Sequence, residues 1–281
     1  MRRIERASPE YPPSLTALPR PPDALWLEGS MPLGRRVAIV GTRRASQAAL
    51  GFTEALAREL SGAGITIVSG GARGIDAAAH RGALEGAGKT IVVQAGGLDR
   101  LYPKQHARLF DRVLAEGGLI ASEAPPGTAA LAPLFLSRNR LIAALAEVVI
   151  VTQAPIKSGA MSTAKWARKL ERALFAVPHA PWEERGTGCV ELLAGGARVC
   201  RGAREIADVV GLPITRSYHT AAPPSDPDER VVLEALGNTG RHVDEIIDAT
   251  KLAPARVILA LTRLSLAGRA RESAPSMWCG G

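Results

Sequence analysis

From about Arg35 to Val210 the chain alternates between short apolar runs and longer stretches with helical spacing. The runs 37–40, 65–68, 90–93, 119–121, 148–151 and 174–177 have strand length, and each lies between Gly or Pro signals. They lack polar alternation, which suits strands covered on both faces. Between them, apolar positions at helical intervals predict helices over 46–61, 75–87, 104–115, 134–145 and 160–170. Strand–helix alternation predicts an α/β fold with a doubly wound, mostly parallel sheet. Ligands of such sheets bind beyond the carboxyl ends of the strands.

Residues 212–228 are rich in Pro, Ser and Thr, lack periodicity and read as a linker. Helical patterns follow at 229–236, 243–249 and 254–267, with Pro254 suited to a first helical turn and Gly268 to a stop. This helix-turn-helix spacing predicts a small α-rich winged-helix domain at 229–281, either a DNA reader or a packing module. The expected organisation is an N-terminal extension over 1–34, an α/β domain over 35–211, the linker over 212–228 and this small domain.

Charge separates these parts. The chain has 281 residues and a net charge of +8. Of its 35 basic and 27 acidic residues, eight of each fall in 216–281, so the whole excess lies in 1–215. A polyanionic partner is expected there; general surface basicity is the plainer alternative. Cys189, Cys200 and Cys279 are odd in number, have no metal-ligand spacing and read as reduced thiols. There is no apolar run of about 18 residues, so no membrane span is expected. The start, MRRIERASPEYPP, has no apolar core and does not read as a secretory signal. A cytoplasmic protein is expected.

Several motifs fall at predicted strand ends. After the run 37–40 come Gly41, Thr42 and Arg43, with Ser46 as a helix N-cap. Glycine permits close backbone approach, and a guanidinium fork suits phosphate. The stretch SGGARGID contains Ser69, Gly70, Gly71, Arg73, Gly74 and Asp76 before a helix, an anion-receptive arrangement. Ser69 has no base beside it in sequence, so a nucleophile role is weakly supported. His80, one turn after Asp76, reads as a packed or hydrogen-bonded histidine. In FLSRNRLI, Arg138, Asn139 and Arg140 sit in the N-terminal half of an amphipathic helix. In KSGAMSTA, Lys157 supplies charge and Ser158 or Thr163 a hydroxyl at another helix start. Each also has a bland reading, as a turn or a solvated charge. Walker and G-x-G-x-x-G loops, zinc-ligand spacing and carboxylate clusters are lacking. No cofactor or metal is expected.

These stretches together resemble the DprA/Smf family of bacterial DNA-processing proteins. The resemblance rests on YPPSLTALPRPPDALWLEG, VAIVGTRRAS, SGGARGIDAAAH, GGLDRLYP, GLIASEAPPG, FLSRNRLIAAL, KSGAMSTA, LFAVP, GTGCVELLAGGARV and VDEIIDATKLAPARVILALTRLSLAGRA. It implies an extended Rossmann-like domain that binds single-stranded DNA without catalysis, forms homodimers and loads RecA during natural transformation. It places DNA-phosphate contacts at Gly41, Thr42, Arg43, Ser69, Gly70, Gly71, Arg73, Arg138, Arg140 and Lys157. It also implies that the helical domain preceding the Tyr-Pro stretch in many members is missing here. The chain departs from the family pattern at His106, His179 and Cys189, and ARESAPSMWCGG fits a wing poorly.

A second reading is an enzyme on a related fold, a phosphoribohydrolase of nucleoside monophosphates using the same phosphate cradle. Such enzymes carry P-G-G-x-G-T-x-x-E. The corresponding loop here is KSGAMSTAKWA, with Lys165 and Trp166 where an acid is needed.

Overall fold

The computed structural model describes residues 1–212, Pro224, 226–236, 240–266 and 269–280. The chain forms two compact units, Met1–Thr215 and Arg216–Gly281. The first contains, in chain order, β1 (Arg2–Glu5), β2 (Ala24–Gly29), β3 (Arg36–Val40), α1 (Gln47–Gly62), β4 (Thr66–Ser69), α2 (Ile75–Glu85), β5 (Thr90–Val93), α3 (Ala107–Ala115), β6 (Leu119–Ser122), α4 (Ala132–Leu145), β7 (Val148–Val151), α5 (Gly159–Lys169), β8 (Ala173–Ala176), α6 (Thr187–Ala194), β9 (Arg198–Val199) and α7 (Ala203–Val210).

Alternate residues of each central strand enter different cores. Val37, Ile39, Val148 and Ile150 pack with Leu56 and Leu60 of α1, Ala79 and Ala83 of α2, and Ile206 of α7. Ala38, Val40, Val149 and Val151 pack with Leu141 and Leu145 of α4, Ala164 of α5 and Leu192 of α6. Both faces are covered, which explains why these strands read as unbroken apolar runs. Truncating one such side chain, as in Leu60→Ala, costs about 2–5 kcal/mol.

The strand order is β1-β2-β6-β5-β4-β3-β7-β8-β9. Pairing is parallel from β6 through β9. The stretch expected as an extension supplies β1 and β2, which add an antiparallel edge: β1 pairs with β2, and β2 with β6. The chain order runs one way from β3 to β6 and resumes on the other side at β7, so the topological switch lies between β3 and β7. The predicted helix 104–115 is a 3-10 turn at Lys104–His106 followed by α3. Cys189 and Cys200 are buried, and burial pushes each thiol up to about 12. No helix among the described residues is long and apolar enough to cross a membrane.

The second unit contains α8 (Pro227–Leu236), β10 (Arg241–His242), α9 (Val243–Thr250), α10 (Pro254–Leu266), β11 (Ala270–Ala274) and β12 (Met277–Gly280). Val232, Leu236, Ile246, Val257, Leu261 and Leu264 form its core. β11 and β12 form an antiparallel hairpin, with β10 against β12. The stretch ARESAPSMWCGG therefore does make a wing: Ser276 takes a positive φ of 61° at the turn, and an irregularity between Glu272 and Ala274 adjusts the register. Linker residues 213–223 and the expected stop at Gly268 lie outside the described residues.

Candidate nucleic-acid interface

The loops after β3, β4 and β7 meet at the carboxyl edge of the sheet, around the switch point. Gln153, fully buried, joins two of them. Its backbone carbonyl accepts from Thr42 N at 2.7 Å. Its side-chain Oε1 accepts from Ser46 N at 2.9 Å, and its Nε2 donates to Ser46 Oγ at 3.3 Å and Glu183 Oε1 at 2.7 Å. Ser46 Oγ caps α1 by accepting from Ala49 N at 3.2 Å.

The β4 loop closes onto the β3 loop through Ile75 N, which donates to Thr42 O at 3.2 Å. Two glycines make this approach possible. A Cβ on Gly41 would lie 2.5 Å from Ile75 Cγ1, and one on Gly74, where φ is +76°, would lie 2.3 Å from Thr42 O. The amino-terminal ends of α1, α2 and α5 thus gather at one edge, where partial positive charge favours an anion.

Beneath the β4 loop lies a buried support. Ser69 Oγ donates to Ile39 O at 2.6 Å. Arg138 is buried, and its Nη1 donates to Gly70 O at 2.7 Å and also to Val93 O. Asp76 Oδ2 accepts from Ala72 N at 3.3 Å. Burial raises the Asp76 carboxyl above its ordinary range, with Arg138 pulling the other way. Burial lowers Arg138 to about 10, with Asp76 opposing. His106 Nδ1 lies 2.9 Å from Gly71 O. His80 Nδ1 lies 2.7 Å from Thr90 Oγ1, and burial pushes this imidazole down to about 3.

Above the loop the surface is cationic and aromatic. Arg43 is exposed, with its guanidinium 4.9 Å from the centre of the Phe135 ring. That is within cation–π range, about 6 Å. Tyr102, 45% exposed, meets Phe135 edge-on at 5.5 Å. Arg73 and Lys157 stand exposed on the β4 and β7 loops.

The family described as DNA recombination-mediator protein A matches residues 2–211, and the DprA winged helix domain matches residues 217–274. The chain belongs to the DprA family. A putative DNA processing protein DprA of Mycobacterium tuberculosis (strain ATCC 25618 / H37Rv) is 39% identical over 259 residues, 89% of this chain. This chain spans 66% of that protein's length. The X-ray structure of DprA from Streptococcus pneumoniae superposes with a TM-score of 0.69 at 34% identity, covering 74% of this chain and 73% of that one. DNA processing protein A from Helicobacter pylori, reported for its single-stranded DNA binding mode, gives 0.64 at 37% identity, covering 71% and 92%. The Rossmann-like fold and the winged helix are thus those of DprA proteins.

The ten residues that DprA resemblance implied fall into two groups. Gly41, Thr42, Arg43, Gly70, Gly71 and Arg73 lie on the two interlocked loops, and Lys157 on the loop beside them. Thr42 has its backbone N–H and C=O committed to the neighbouring loops and its Oγ1 accepts from Arg44 N at 3.2 Å, which leaves the hydroxyl proton to donate. The other three are engaged within the protein. The Ser69 hydroxyl and Arg138 Nη1 point inward and donate to backbone carbonyls. Arg140 is held in a part-buried ion pair with Glu123. Thr163 and the Ser158 hydroxyl are also shielded from solvent. Sequence reasoning missed Tyr102, Phe135 and Gln153. Phe135 precedes Arg138 by one helical turn, and that spacing was the available signal; Gln153 carried none.

Proposed function

We propose that this chain holds single-stranded DNA by its phosphates along the carboxyl edge of the sheet and passes the strand on chemically unaltered. The observation that carries the reading is the pairing of exposed Arg43 with Phe135 above two interlocked glycine loops. Arg73 and Lys157 extend the cationic surface on either side of it. The same cradle does not offer a prepared nucleophile: the Ser69 proton goes to Ile39 O, and His80 is buried against Thr90. This favours binding over the phosphoribohydrolase reading. Within the reading, the chain acts as a homodimer and delivers the strand to RecA during transformation; that part rests on family membership.

The test is fluorescence anisotropy with labelled oligo-dT over a range of salt. Arg43→Ala and Lys157→Ala each weaken binding, and each lowers the slope of log K against log salt by about 0.7 per phosphate contact removed. Unchanged affinity in both variants overturns the reading.

A further inference from the structure

Trp182 is 87% exposed, an unusual cost for the largest apolar side chain. It sits on the loop between β8 and α6, in a tight turn closed by Glu183 N donating to Ala180 O at 2.9 Å. This turn is firmly mounted. His179 Nε2 lies 2.8 Å from Thr152 O, and its Nδ1 lies 3.1 Å from Glu183 Oε2. Glu183 Oε1 accepts from Gln153 Nε2 at 2.7 Å. The residue next to Trp182 is therefore bonded to the same glutamine that holds Thr42. An open depression lined by Ala180, Trp182, Glu183, Glu184 and Arg185 lies at this place.

The sheet order gives the turn its meaning. Strands β5, β4, β3, β7 and β8 lie side by side. The loops beyond them carry, in the same order, Tyr102, Arg73, Arg43, Lys157 and Trp182. Cations occupy the middle of this row and aromatic rings its two ends. Neighbouring strands are about 4.8 Å apart, so the row spans roughly 19 Å. At the stacked spacing of about 3.4 Å per nucleotide that length takes about five to six nucleotides, and fewer of a more extended strand, which suits a short single-strand groove.

We propose that Trp182 is a stacking platform for a base at the far end of the single strand, beyond Lys157. The proposal rests on the reading above that this edge holds single-stranded DNA. Both carboxylate oxygens of Glu183 are engaged by His179 and Gln153, while exposed Glu184 repels phosphate from the turn. The base, not the backbone, therefore meets Trp182, and Lys157 and Arg185 face the flanking phosphates.

The experiment compares a three-nucleotide and a fifteen-nucleotide oligo-dT on the full chain, with Trp182→Ala, Trp182→Phe and Arg43→Ala. Trp182→Ala weakens the long oligonucleotide by about tenfold, leaves the short one unchanged and preserves the salt slope, because no phosphate contact is lost. Trp182→Phe retains most of the long-strand affinity. Arg43→Ala weakens both lengths and lowers the slope. Thermal melting of Trp182→Ala matches the wild type, since the side chain is exposed. If Arg43→Ala weakens binding and Trp182→Ala does not, the platform is wrong and the DNA-binding reading stands. If the wild type binds neither length, both fall. If Trp182→Ala converts a dimer to monomers and affinity merely follows that change, Trp182 is a contact between copies and the platform is overturned.

Discussion

The Arg138 guanidinium donates to the Gly70 carbonyl from below, at 2.7 Å. It thereby holds a loop whose upper face is the candidate phosphate cradle. A cation that sequence places in a binding motif instead supports the floor of the site, and Asp76 balances its charge.

Removing this support leaves a buried carboxylate without its cation. Arg138→Ala is expected to lower the stability of the first unit by about 3–5 kcal/mol. Adding Asp76→Asn recovers part of the loss, because the stranded charge is gone. Urea unfolding of the two single variants and the double variant measures both effects.

Gly74 is the tightest point of contact between the β3 and β4 loops. Gly74→Ala puts a Cβ against the Thr42 carbonyl at a positive φ, and is expected to cost about 1–3 kcal/mol. Oligo-dT affinity falls with it, since the two loops separate. The combination distinguishes this variant from a core truncation, which lowers the melting temperature and leaves the affinity of the folded protein intact.

His80 makes the fold sensitive to acid. Its imidazole is held to about 3 in the folded state, chiefly by burial and then by His106 and Arg138. In the unfolded chain it titrates near its ordinary value of about 6.5. Below that value the unfolded state takes up the proton and the folded state does not, so stability falls as pH drops from about 6.5 toward 3. The expected loss between pH 7 and pH 5 is about 2 kcal/mol. Asp76 acts in the opposite sense, because its raised carboxyl is relieved by protonation. His80→Gln removes the histidine contribution, so its urea midpoint changes less between the two pH values than that of the wild type.

Two cations of the winged-helix unit's longest helix are committed to ion pairs. Arg256 on α10 makes two 2.6 Å bonds to Asp228, and Arg263 lies 3.0 Å from Asp226. The exposed face of α10 carries Ile258, Leu259 and Leu266 in their place. Deleting 216–281 is expected to leave oligo-dT affinity unchanged in an anisotropy titration. A large loss shifts strand recognition to this unit.

The six central strands were legible because burial on both faces writes itself as continuous apolar sequence. β1 and β2 were not: RRIE, the edge strand, is largely exposed, and ALWLEG beside it only partly alternates. The glycine loops were legible from their spacing. The direction of Arg138 was not, since a helical repeat fixes the helix face but not which backbone oxygens lie across from it. The Arg140–Glu123 pair joins residues 17 apart, and Gln153 acts on Ser46 across 107. Neither distance leaves a local trace. Trp182 carries no periodic signal either, and only the order of strands in the sheet places it in line with Arg43.

Gln153 has both ends of its amide and its own carbonyl occupied at once. It is therefore a spacer of fixed length across the seam of the sheet, and the interval between the Arg43 loop and the Trp182 turn is set by the protein. A polymer laid along that edge must adapt its own spacing to a ruler that does not stretch. A flexible single strand can do so at little cost and can turn its bases onto the aromatic ends of the row, whereas a duplex keeps its bases paired and stacked inside.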